Sequence, residues 1–142
     1  MIDLEYAKQY LAGNTISLYK DGVNIISSKK GITPMMECIE KGVNLCNFSV
    51  ADMVVGKAVA FLFIKAQIKS VYAKIISKPA MELLSKFKIP YEYETEVPYI
   101  INRQKTGVCP MESTVIDVED VDEAYMLLKN KLKELNSKNE NN

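Results

Sequence analysis

Gly56-Lys57 is the pair in this chain whose setting is hardest to explain by packing alone. Lys57 is the only charged side chain between Met53 and Ile64, inside a run from Ala51 to Gln67 that leaves almost no polar face. Such a run reads as one buried helix. Glycine in a helix interior sacrifices about 1 kcal/mol relative to alanine, and a lysine there must snorkel, meet a carboxylate or face a polar cavity. Two readings stay open. Either Gly56-Lys57 lines a pocket for an anionic or carbonyl group, or Lys57 snorkels beside a packing glycine. The pair is not a Walker loop, because the upstream glycine is missing and Ala58 stands where Ser or Thr would hold magnesium.

The second cluster runs from Asn102-Arg103 through Gly107 to Cys109-Pro110-Met111-Glu112. Gly107 marks a turn, and Cys109-Pro110 has the form of an N-cap followed by proline at a helix start. A thiol at that position feels the positive helix end, which favours thiolate. With no histidine in the chain, a nucleophilic Cys109 would need Lys57 or Arg103 to activate it. Otherwise it is a small hydrophobe. Glu112 can serve as a general acid or base, as a ligand anchor, or as an ordinary acid in a first helical turn.

Cys38-Ile39-Glu40 matches half of the zinc deaminase pattern, but the required P-C-x-x-C is absent and Cys109-Pro110 reverses its order. A zinc site from Cys38, Cys46 and Cys109 would need all three to converge, so the chain is expected to hold neither metal nor other cofactor. The missing histidine also removes Ser-His-Asp and Cys-His catalysis.

These groups must be positioned by one domain, expected over residues 1–135, with a disordered polar tail over 136–142. The 142 residues are 48% hydrophobic and 25% charged, an ordinary globular composition. Eighteen Lys+Arg balance eighteen Asp+Glu, so no bulk field favours nucleic acid or a membrane surface as partner. The start Met1-Ile2-Asp3-Leu4-Glu5 lacks a secretory signal, and the odd cysteine count without a C-x-x-C pair suits reduced thiols. The expected location is cytoplasmic, and a homo-oligomer is compatible with the sequence.

Asp3 to Ala12 reads as a helix, and Thr15–Lys20 with Val23–Ser28 as a hairpin turning at Asp21-Gly22. Thr33-Pro34 starts a short helix that ends at Gly42. After the apolar run come a strand at Val71–Ile75, a helix over Lys78–Phe87, and a strand in which Tyr91, Tyr93 and Thr95 alternate with glutamates. A terminal helix carries acids first and lysines last. This order predicts an α/β layered domain with a mixed sheet.

The blocks Gly31-Ile32-Thr33-Pro34, Asp52-Met53-Val54-Val55-Gly56-Lys57-Ala58, Ile76-Ser77-Lys78-Pro79, Tyr99-Ile100-Ile101-Asn102-Arg103 and Cys109-Pro110-Met111-Glu112 together resemble a prokaryotic domain-of-unknown-function family whose fold is similar to cytidine deaminase. The likeness runs from about Asp3 to Val115. It implies three α/β/α layers around a mixed sheet of about five strands, no deaminase zinc, and a pocket where deaminases bind their nucleobase. Carried over block by block, it implies Gly31, Asp52, Gly56, Lys57, Ser77, Asn102 and Arg103 as ligand-binding residues, with Cys109 and Glu112 placed for chemistry. The lysine-rich Ser27-Ser28-Lys29-Lys30 ahead of Gly31 departs from the family pattern. Two functions stand side by side: a metal-free pocket for a small polar, nucleotide-like metabolite, with or without chemistry, and a non-catalytic protein-interaction or regulatory module.

Overall fold

The computed structural model describes residues 2–101 and 107–140. Its chain order is α1 (Asp3–Tyr10), β1 (Ile16–Lys20), β2 (Val23–Ser27), α2 (Thr33–Glu40), β3 (Ser49–Val55), α3 (Lys57–Lys65), β4 (Ser70–Ser77), α4 (Lys78–Lys86), β5 (Tyr91–Val97), α5 (Pro110–Val115) and α6 (Val121–Glu140). The strands form one mixed sheet in the order β2-β1-β3-β4-β5. β1 pairs antiparallel with β2 and β3, whereas β3, β4 and β5 run parallel.

The run from Ala51 to Gln67 is not one helix, as the sequence reading expects, but a strand, a glycine and a helix. Ser49–Val55 is rich in β-branched residues, is flanked by β1 and β4, and is apolar because it packs toward both sides of the sheet, Ala51 into one apolar cluster and Val50 and Val55 into the other. Gly56 is extended (φ −104°, ψ 179°) and forms the N-cap of α3. Buried strands and buried helices are both apolar throughout, and periodicity does not separate them. At α2 the cap is Ile32 and Thr33 is already helical, with Pro34 in the first turn. The helix ends at Glu40 rather than Gly42. α6 continues through the expected tail to Glu140, because extending a formed helix avoids the cost of nucleating one.

Two apolar clusters define the layers. Ala7 of α1 and Leu11 at its C-cap pack with Ala51 on one face. Val50, one residue earlier and therefore on the opposite face, belongs to the main core with Phe61 and Phe63 of α3, Leu84 of α4, Val115 of α5 and Leu128 of α6. α3 is buried from Ala58 to Phe63 because it is enclosed by the sheet and by α4, α5 and α6.

Candidate functional site

The topology brings the candidate residues toward one edge of the sheet. The parallel strands end at Val55, Ser77 and Val97, and the antiparallel hairpin begins and ends at the same level, since Ile16 pairs with both Asp52 and Ser27. Gly31, in a left-handed turn at φ +65°, follows β2 there. Gly56 and Ser77 each follow one member of the register pair Val55↔Ile76, so they stand side by side at the strand ends. Open α/β sheets bind ligands outside this carboxyl edge.

Gly56 and Glu112 meet in a contact that neither block shows by itself. The Glu112 carboxylate accepts hydrogen bonds from two main-chain donors at the start of α3: Lys57 N–H to Oε1 at 2.7 Å and Ala58 N–H to Oε2 at 2.8 Å. The first N–H groups of a helix have no partner within it, and Gly56 has no side chain to supply one. Glu112 therefore caps α3 from another element. It requires glycine at 56 for access, because a Cβ there would lie 2.1 Å from Glu112 Oε1. Glu112 is only 9% exposed. Burial pushes its carboxyl above the usual range, while the Ala58 and Lys57 N–H donors and the Lys57 charge pull the other way.

The Lys57 side chain does not join this cap. Its ammonium donates to the Ile116 carbonyl at 2.9 Å, at the end of α5, and lies 5.7 Å from the Phe61 ring centroid. That arrangement is the snorkelling one. Cys109 is the N-cap of α5 with Pro110 at its first helical position, as expected, and it is half-buried against the core. Its N–H donates to the Ile100 carbonyl at 3.0 Å. Ser77 is fully buried and caps α4, its Oγ accepting from Ala80 N–H at 3.3 Å. Asn102 and Arg103 lie outside the described residues, which resume at Gly107 after Ile101; a bridge between Ile101 and Val108 closes the ends of that segment.

Asp52 is the second buried carboxyl, 7% exposed. Its register partners Ile16 and Ala73 belong to the main core, so its side chain faces the same way. Its Oδ1 accepts one long bond, 3.3 Å, from Val54 N–H in its own strand. Burial, outweighing the Val54 and Met53 N–H groups, pushes the carboxyl up to about 8. At neutral pH Asp52 is a carboxylic acid with one donor and acceptor capacity to spare.

Among the described residues no group of three or more Cys, Asp or Glu side chains is arranged to hold a metal ion. Cys38 sits on α2, and Cys46 lies 3.2 Å from Gln67 Oε1, so the three free thiols serve separate elements. A hollow of ≈ 340 Å³ lies at the opposite edge of the sheet, between Ile2, Leu4, Ser49 and Tyr91, and none of the candidate residues lines it. The sequence reading missed the main-chain N–H groups of Lys57 and Ala58. The only signal for them was a helix start at Gly56 with no Ser, Thr, Asp or Asn to cap it.

No curated protein matches the chain. Among solved structures it is similar to the crystal structure of a DUF1893 family protein, TM1506, from Thermotoga maritima, at 27% identity and a TM-score of 0.83, covering 91% of this chain and 89% of that one. The family model of that domain of unknown function matches residues 7–132, a span containing β1 to β5, Gly56 and Glu112, and the chain belongs to the DUF1893 family.

Proposed function

We propose that this domain binds a small polar molecule at the carboxyl edge of its parallel strands, with Asp52 as the recognising group and Glu112 as part of the scaffold. The observation that carries this reading is the bonding of Asp52: a carboxyl 7% exposed, on a central strand, whose one hydrogen bond among the described residues is the 3.3 Å bond from Val54 N–H. A buried polar group without good partners costs roughly 1–3 kcal/mol, and such groups cluster at functional sites. Asp52 also lies on β3, the central strand of the sheet, three residues before its carboxyl end at Val55. That is the place where open sheets take ligands.

A carboxylic acid presents a donor and an acceptor side by side, matching an amide or amidine edge such as a nucleobase carries. A cytidine-deaminase-like fold, as the sequence blocks imply, would bring the same ligand class. Cys109 and Glu112 support chemistry less well than binding, since both carboxylate oxygens of Glu112 are occupied by main-chain donors.

The test is a thermal-shift and calorimetry panel of nucleobases, nucleosides and nucleotides on the wild type and on Asp52→Leu. Ligands with an amide or amidine edge should stabilise the wild type and lose at least about tenfold in affinity on Asp52→Leu, the equivalent of one lost hydrogen bond of roughly 1.4 kcal/mol. Binding that is unchanged in Asp52→Leu, or a panel with no binder, would rule the reading out.

A further inference from the structure

The hollow of ≈ 340 Å³ at the amino ends of the parallel strands is separate from the Asp52 site and has the size of a small-molecule pocket. It opens on the α1 face of the sheet. Ser49 precedes Ala51 by two residues and Ser70 precedes Tyr72 by two, and Ala51 and Tyr72 both pack in the α1 cluster. The starts of β3 and β4 therefore form one wall, and the first turn of α1 forms the other.

Ser49 and Ser70 are register partners whose hydroxyls meet at 2.8 Å, and Ser49 is only 2% exposed. Two hydroxyls carry two protons, and their mutual bond uses one. Among the described residues no other group bonds to either oxygen, so one donor is left over at the hollow. A buried donor calls for an acceptor.

The charges around the hollow are of both signs. Glu92 is matched by Lys8 at 3.3 Å. Asp3, in the first turn of α1, and Lys69, next to Ser70, make no ion pair among the described residues. Lys69 N–H donates to the Phe48 carbonyl at 2.8 Å, which ties its main chain to the start of β3. The helix wall thus offers an unmatched anion, and the strand wall an unmatched cation beside a hydroxyl donor. Leu4 and Tyr91 add apolar surface between them.

We propose that this hollow binds a free α-amino acid with an apolar side chain, independently of the Asp52 site. The ligand carboxylate accepts the spare proton of the Ser49–Ser70 pair and meets the Lys69 ammonium. The ligand ammonium meets Asp3, and its side chain lies against Leu4 and Tyr91. A zwitterion is the fitting class because it supplies both missing counterions at once, whereas a simple anion or cation leaves one charge of the hollow unmatched.

Calorimetric titration of the full chain with L-leucine, N-acetyl-L-leucine and L-leucinamide tests this. Acetylation removes the ligand ammonium and amidation removes its carboxylate, and each should weaken binding at least about tenfold relative to L-leucine. In Lys69→Met, L-leucine should bind no better than L-leucinamide. In Asp3→Asn it should bind no better than N-acetyl-L-leucine. Asp52→Leu should bind L-leucine as the wild type does, which keeps the outcome separate from that of the carboxyl-edge site. Absence of L-leucine binding at millimolar concentration overturns the proposal. So does a derivative that binds the wild type as tightly as L-leucine, or discrimination that survives in either Lys69→Met or Asp3→Asn. The two derivatives need no variant, so a failure of Lys69→Met or Asp3→Asn to fold leaves the wild type to decide.

Discussion

Glu112 and Asp52 are both carboxyls, both less than a tenth exposed and both pushed upward by burial, yet they sit in opposite kinds of surroundings. Glu112 has a donor on each oxygen, supplied by the uncapped start of α3. Among the described residues Asp52 has one long bond, inside its own strand. Burial alone therefore does not distinguish a carboxyl whose bonding is complete from one with capacity to spare. The count of donors does, because a carboxyl whose oxygens are already matched has nothing left to offer a ligand.

The largest effect that would break the contrast is expected from Gly56→Ala. The backbone at Gly56 tolerates any residue, so the whole cost comes from displacing the Glu112 carboxylate, which a Cβ would meet at 2.1 Å. Urea unfolding should show a loss of about 2–4 kcal/mol, as for breaking a buried charged hydrogen-bond network. Glu112→Ala should cost a similar amount. The two should not add, since they remove the same cap. Gly56→Ser combined with Glu112→Ala should recover part of the loss, because serine at an N-cap supplies its own acceptor.

A smaller effect sharpens the other half of the comparison. The Asp52 carboxyl stands at about 8 in the fold against an ordinary 3.8, so the native chain holds its proton more tightly than the unfolded one does. Stability from this group is full below pH 3.8, declines as pH rises to about 8, and is level above. Glu112, also shifted upward, contributes with the same sign. Asp52→Asn should keep the fold and flatten most of this slope in denaturation curves taken across that range. A slope unchanged in Asp52→Asn would mean that Asp52 is charged at neutral pH and has a donor of its own.

Lys57→Met should matter least. Its ammonium makes one exposed bond to the Ile116 carbonyl, and exposed polar contacts are worth less than about 1 kcal/mol. Thermal melts should move little. A change as large as that of Gly56→Ala would transfer the cap from the main chain to the side chain of Lys57.

Particular residues show where the sequence was legible. Asp21-Gly22 announced the hairpin, Cys109-Pro110 the start of α5, and the acid-to-lysine gradient the terminal helix, because turns, caps and dipoles are local. Gly56 was misplaced because its strand and its helix are both buried and both apolar, so nothing periodic marks their junction. Glu112 could be singled out as a charged residue worth explaining, but not paired. Its partners are main-chain groups more than fifty residues away, and N–H groups have no letter in a sequence. Asp52 was visible as one member of a block, but its near-solitary bonding exists only once β1 and β4 flank it.

The distance along the chain between Glu112 and the amides it caps also orders events in time. α3 leaves the ribosome before α5 has been made, with its first N–H groups served by water and its apolar face waiting for α5 and α6. Contacts separated by 55 residues are expected to form late, after loop closure by the β3–α3–β4 and β4–α4–β5 units. A contact absent from the folding transition state changes the rate of unfolding and leaves the rate of folding nearly untouched. The carboxylate at 112 should thus act as a latch, slowing how the domain comes apart rather than speeding its assembly: Glu112→Ala is expected to raise the stopped-flow unfolding rate and leave the refolding rate nearly unchanged.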